Sequence, residues 1–453
     1  MTEQGQFPDL PPNVEPRESK QAAIGKPRLQ RAEREQGQWQ VTRLDRLLRA
    51  DHPARTVWAF VEELDLSEYT SAVRAVEGHA GRPAIDPAIL LSLWLYGISK
   101  GVGSARELER LTTEHDAYRW LCGGVSVNYH TLSDFRNGEA KLDRLLGRWL
   151  ASLMQTGVLK LERVSQDGMR VRASAGASSF GRRETLNDHL REAEGQIERL
   201  KRESEGHPSA ESAARAHRSA REAAAQGRAA RERSARVKRA LALLPEAEKA
   251  LQRRTDRRKP GEARTSSTDP EARVMKLADG GFRPAYNAQV VCDAESLLVV
   301  GVDVGNVGSD MGLVPPMLDQ LQECFGKLPK ELLCDGGYPS QESLKVAHAR
   351  GVTVYAPVPK ARDERDRYAP RADDSEARAA WRKRMSTDEA KAIYKQRAAT
   401  IEWVNACLRR FALTAFPVRG IAKARAVLLL TALAHNLFRV DGLRQKQALG
   451  TAA

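Results

Sequence analysis

From about residue 40 to 157 the apolar residues recur at helical spacing. The spans 56–67, 87–99 and 104–116 each open near a capping residue or a helix-starting proline, and Gly101-Val102-Gly103 supplies one of the breaks between them. The pattern predicts a helical N-terminal domain over 40–157. At Val158 the helical stripe gives way to alternation of apolar and polar residues, which predicts a strand ending near Asp167. Strand-like runs return at 286–293 and, after Ala294-Glu295-Ser296, at 297–304, as a hairpin. Helical spacing over 310–325 follows, then an apolar run, 331–335, that stops at Gly336-Gly337-Tyr338-Pro339. A helix over 340–350, a strand over 352–358 and a charged stretch, 359–385, lead to a final helical region. That region opens on the capping-box pattern Ser386-Thr387-Asp388-Glu389 and closes on the apolar helix 424–440.

Two stretches fall outside this alternation. Residues 1–38 lack periodicity and carry prolines at 8, 11, 12, 16 and 27, so they read as a disordered lead-in. Between 183 and 261 the chain is mostly Ala, Arg, Glu, Lys, Ser and Gln, broken at Gly206-His207-Pro208. This predicts long solvated helices inserted into a fold made of 158–182 and 262–440, either as a spacer or as a DNA-backbone contact.

Charge narrows the class of partner. Lys and Arg outnumber Asp and Glu by 73 to 59, a formal net charge of +14, which favours a polyanion. The cysteines Cys122, Cys292, Cys324, Cys334 and Cys407 form no C-x-x-C pair, which argues against a zinc knuckle or disulfide framework and for a reducing compartment. The polar, proline-rich start and the lack of a long uncharged apolar run predict a cytoplasmic protein with no membrane partner.

Phosphodiester chemistry requires charge compensation on the attacking and leaving oxygens, which two Mg²⁺ ions held by carboxylates supply. Asp167 and Asp335 each close a predicted strand beside glycine, at Gly168 and at Gly336-Gly337. Asp293 and Asp303 read instead as a turn former and a solvent-face residue, and Asp310 as a helix cap. Glu402 completes a triad if the helix over 388–411 packs beside the sheet, with Glu389 the nearest substitute. On an ideal helix Tyr394 lies roughly 80°, Arg409 roughly 20° and Arg397 roughly 140° from Glu402. Arg409 would then share the carboxylate's face and could hold a DNA phosphate.

The blocks 165–175, 267–293, 304–310, 333–338 and 394–410, in that order, resemble the DDE transposases of bacterial insertion sequences. They resemble most closely the branch whose third acidic residue lies in a Tyr-Arg-Glu-Lys signature helix. The resemblance implies an RNase H-like α/β core, a mixed five-stranded sheet flanked by helices, with an all-α domain in front that helps bind element ends. It implies that Asp167, Asp335 and Glu402 ligate two Mg²⁺ ions, for which Mn²⁺ may substitute, and that Tyr394 and Arg397 support the signature helix. Arg409 replaces the signature's Lys, and Arg397 and Glu402 stand one residue further apart than in its usual form. The implied activity is cleavage and strand transfer of double-stranded DNA by a homodimer on the DNA. A nuclease without strand transfer and an inactive DNA-binding remnant are the alternatives. In the front domain, 104–137 is compatible with a helix-turn-helix reader, while Trp94, Trp120 and Trp149 read as core residues.

Overall fold

Side-chain caps set most of the helix starts. His52, Asp86, Ser104, His115 and Asn128 accept backbone N–H groups ahead of α1 (Pro53–Glu62), α3 (Pro87–Ser99), α4 (Ala105–Glu114), α5 (Asp116–Cys122) and α6 (Tyr129–Arg136). The short α2 (Ser67–Thr70) and the long α7 (Glu139–Gln155) complete this group. Trp94 and Trp149 are buried in it, the former donating to the Leu132 carbonyl at 3.0 Å; Trp120 is half-buried under the Arg55 guanidinium. The computed structural model describes residues 43–71, 73, 75–76, 83–205, 213–252, 260–360 and 366–450. The lead-in expected over 1–38 and the break at 206–208 lie outside them.

Strand β1 (Arg163–Arg172) follows. The minute strands β2 (Phe180–Gly181) and β3 (Thr265–Ser266) pair across the base of a helical hairpin, α8 (Arg183–Glu205) and α9 (Ala213–Gln252). Leu186, Val237 and Ala240 make a small separate core between these two helices.

The main sheet then fills in with β4 (Arg273–Lys276), β5 (Phe282–Asp293), β6 (Val299–Gly305), β7 (Glu331–Leu333) and β8 (Thr353–Tyr355). It has six strands rather than the expected five, because β5 is long enough to pair β6 along one stretch and β4 along another. Apart from β4, the order across the sheet is β6-β5-β1-β7-β8, with β5 antiparallel to β1 and to β6, and β7 and β8 parallel. Helices α10 (Val314–Phe325) and α11 (Gln341–Ala349) join β6 to β7 and β7 to β8. Next come α12 (Glu376–Ser386), α13 (Asp388–Arg397), a π-helical turn (Ala398–Glu402), α14 (Trp403–Arg410) and α15 (Ile421–Gly450). Within the charged stretch 359–385, Asp374 and Arg382 form a buried ion pair at 2.7 Å.

Helix α15 is long and apolar enough to cross a bilayer, and most of its apolar residues are buried in the protein interior. It packs on α1, α3, α7 and β6, and Asn436 hydrogen-bonds both the N–H and the carbonyl of Val299 in β6. Its start is held by acids from the loop before β4: Asp269 accepts from the Gly420 N–H and Glu271 from that of Ile421. From Leu44 onward the described residues form one unit, and the helices before β1 share a hydrophobic core with the sheet.

Candidate active site

Strand β1 presents two sets of side chains, because alternate residues point to opposite faces. Ser165 and Asp167 turn toward the helix after α13, whereas Gln166, Gly168 and Arg170 turn toward the loop before α10. Asp167 therefore lies in mid-strand and not at the strand end expected for it. On the neighbouring parallel strand, Ser165 is paired with Leu333, so Asp167 and Asp335 stand at matching places two residues further on. Adjacent strands run about 4.8 Å apart, which brings the two carboxylates side by side in the middle of the sheet, near enough for the Asp335 charge to act on Asp167. Asp335 follows the end of β7 as expected, and accepts the Gly337 N–H at 2.7 Å.

The third acid arrives through the π-turn. On an ideal α-helix Arg397 would face away from Glu402. In the structure their side chains pair at 2.7 Å, and the other arm of Arg397 reaches Asp167 at 2.9 Å. The physical reason is the turn itself: i→i+5 hydrogen bonding widens the helix by one residue per turn, so residues five apart meet on one face. Thr400, buried within it, bonds the Gln396 and Arg397 carbonyls and the Ser165 hydroxyl, the last at 2.8 Å. The turn is thereby pinned to β1 two residues from Asp167. One helical step beyond Glu402, the buried Asn405 donates to the second oxygen of Asp167 at 3.0 Å.

Burial raises the Asp167 carboxyl above its ordinary range and nearby Asp335 adds to this, while Arg397 and the Gly168 N–H pull the other way. Burial likewise works against the charge on Arg397, but Asp167, Tyr394, Glu402 and Asp335 together hold its proton more tightly than usual. Tyr394 is partly buried against the core beside this group. Arg409 is exposed on α14 and has no side-chain partner among the described residues. Glu389 sits exposed in the first turn of α13 and does not join the cluster.

The opposite face of β1 carries a polar network absent from the sequence reading. Asp310 accepts from Arg170 (2.9 Å), Asn287 (2.8 Å) and Gln289 (2.8 Å), and the buried Tyr338 hydroxyl donates to Gln289 at 2.6 Å. Asp310 does not cap α10, which starts four residues later at Val314. Gly168 is needed by this network: a Cβ there would lie 2.4 Å from Gln289 Nε2 and 2.6 Å from Asp310 Oδ1. Its role is thus to admit Asp310 on one face and not to turn the backbone beside Asp167. Asp293 accepts from the Ser296 N–H and hydroxyl as a turn former, and Asp303 lies half-exposed near Arg425. Asn405 carries one sequence signal, its place three residues after Glu402. Thr400 and Ser165 carry none.

Three carboxylates whose oxygens are hard donors suit a hard divalent cation in kind. As they stand, no three acidic, His or Cys side chains among the described residues converge on one ion position, and Arg397 provides the positive charge between Asp167 and Glu402. A thiol nucleophile is not offered by Cys334 beside Asp335, since burial pushes its pKa far up.

Residues 42–138 match a family described as a transposase domain (DUF772), and residues 260–437 match one described as a transposase DDE domain. Between them these cover more than half of the chain, including Asp335 and Glu402; β1 with Asp167 lies in the interval between them. No curated protein and no solved structure matches the chain.

Proposed function

The chain belongs to the DDE transposases of insertion sequences, and we propose that it cuts double-stranded DNA at its element's ends and joins the freed 3′-hydroxyls to target DNA. The observation that carries this reading is the placement of Asp167 on β1 and Asp335 just past β7 at matching places two residues beyond the Ser165–Leu333 pair, with Glu402 brought to Asp167 through Arg397. The strand order and directions support an RNase H-like core, with α8 and α9 as an insertion in it.

The family generally uses divalent metal ions; here Asp167, Asp335 and Glu402 would hold two Mg²⁺, or Mn²⁺ in their place. Bound there, the ions supply charge neutralisation of the attacking and leaving oxygens, so no covalent enzyme intermediate is required. Asn405 fixes one oxygen of Asp167, leaving the other to face the cluster. The Ser165–Thr400 contact fixes the distance between β1 and the helix bearing Glu402. Arg409, exposed and without a side-chain partner among the described residues, is available to a DNA phosphate. Helices α1–α7 bind the element ends, with α4–α6 as the reader, and a homodimer pairs two ends for coordinated cleavage in the cytoplasm.

The test uses DNA carrying the inverted repeats that flank the reading frame, with a labelled target and Mg²⁺. Wild type yields nicked ends and a joined product, while Asp335→Ala binds the ends and yields neither. Nicking without joining favours the nuclease reading. Undiminished cleavage by Asp335→Ala overturns the assignment.

A further inference from the structure

Arg397 makes an unusual pair of bonds. A guanidinium that serves one carboxylate usually forks onto both of its oxygens. Here one terminal nitrogen goes to Asp167 Oδ1 at 2.9 Å and the other to Glu402 Oε1 at 2.7 Å, so a single cation bridges acids from a strand and a helix. The bridge exists only because of the π-turn, since the two residues would otherwise lie on different faces. The side chain is 11% exposed, and its Nε is buried with no acceptor in reach. A buried donor left without a partner is costly, and a guanidinium with a purely structural task normally has its donors satisfied. Glu402, by contrast, is 55% exposed and can be approached from solvent.

We propose that Arg397 is a built-in counter-cation that competes with divalent metal for Asp167 and Glu402. Without metal it keeps two acids from repelling each other and holds the signature helix against β1. Metal loading requires Glu402 to leave the guanidinium, so Arg397 sets the metal concentration at which the site assembles. The proposal rests on the reading of these acids as metal ligands.

The experiment is Mn²⁺ binding to the full-length protein without DNA, followed by electron paramagnetic resonance and calorimetry, with thermal unfolding in chelator and in saturating Mg²⁺. Arg397→Gln removes the competing charge, and Arg397→Lys keeps a charge that lacks the fork. Each guanidinium–carboxylate bond lost to metal corresponds to a change on the order of tenfold in affinity. Arg397→Gln is therefore expected to bind Mn²⁺ about tenfold more tightly than wild type, with Arg397→Lys in between. The Gln variant should melt earlier than wild type in chelator and regain most of the difference in Mg²⁺. Equal or weaker Mn²⁺ binding by a folded Arg397→Gln overturns the competition while leaving the metal site intact. If neither wild type nor Arg397→Gln binds Mn²⁺, and Asp167→Asn changes nothing, the metal reading itself fails and the competition with it.

Discussion

Replacing Gly168 by alanine would push a methyl group into the middle of the Asp310 network. The added carbon meets Gln289 Nε2 at 2.4 Å, Asp310 Oδ1 at 2.6 Å and Asn287 Oδ1 at 2.8 Å. Those atoms are bonded to one another: Gln289 donates to Asn287 at 3.0 Å and to Asp310 at 2.8 Å, and Asn287 donates to Asp310 at 2.8 Å. No one of them can withdraw without breaking a bond to the others. Overpacking of this kind costs about 1–3 kcal/mol, and loss of one hydrogen bond to a charged acceptor about 1.5–3 kcal/mol. Together they predict a loss of roughly 3–5 kcal/mol in unfolding free energy. Urea unfolding followed by tryptophan fluorescence measures it, with Gly336→Ala as the control. At Gly336 the nearest atoms are Pro357 Cγ at 3.4 Å and the Pro357 carbonyl at 3.5 Å, ordinary contacts that predict a change within about 0.5 kcal/mol. Neither glycine has a positive φ, so the comparison isolates packing from backbone strain. Equal losses at the two positions, or a loss below about 0.5 kcal/mol at Gly168, would refute the reasoning.

Three further outcomes follow from the same contacts. Thr400→Val keeps the shape of the π-turn's buried residue but removes its bonds to Ser165 and to two carbonyls; about 1–2 kcal/mol of stability should be lost. A double-mutant cycle with Ser165→Ala should then show coupling of about 0.5 kcal/mol or more, and strict additivity would contradict the Ser165–Thr400 contact. Arg382→Ala removes the buried partner of Asp374 but leaves Arg378 at 3.2 Å and the Arg371 N–H at 3.0 Å; it should cost about 1.5–3 kcal/mol by chemical denaturation, above any loss from an exposed pair such as Arg49–Asp51. Burial raises the Asp269 carboxyl despite the Tyr286 hydroxyl it accepts, so ionised Asp269 weakens the fold above its unfolded-state titration range. Asp269→Asn retains an oxygen for Tyr286 and Gly420 and should melt no earlier than wild type at neutral pH. Its melting advantage should shrink as pH falls toward the ordinary Asp range, where wild type is protonated too; an advantage that grows on acidification would contradict the sign.

The hydrophobic pattern was enough to read the order of strands and helices, because each element is amphipathic or wholly buried in the way its period implies. Asp335 was legible for the same reason: an apolar run stops on it and glycines follow. The helical region bearing Glu402 was legible, but its relation to Arg397 was not, since ideal helical geometry puts them about 140° apart. The π-turn that unites them depends on Thr400 meeting Ser165 across a separation of 235 residues, a contact no local propensity encodes. Gly168 shows the converse, a residue noticed for the wrong reason. What selects glycine there is Asp310, whose own position suggested a cap until β5 supplied Asn287 and Gln289 beside it. The sixth strand escaped notice because β4 is only four residues long and half exposed.

Whether Asp335 ligates the metal that drives DNA cleavage is answered most directly by changing its donor atom. Asp335→Cys places a soft sulfur where a hard oxygen stood, which disfavours Mg²⁺ and is tolerated better by Mn²⁺. End-bearing DNA should remain uncut by this variant in Mg²⁺ and be cut again in Mn²⁺, while Asp335→Ala stays inactive in both. Cleavage by Asp335→Cys in Mg²⁺ at the wild-type rate, or equal activity of the Cys and Ala variants in Mn²⁺, would contradict the assignment.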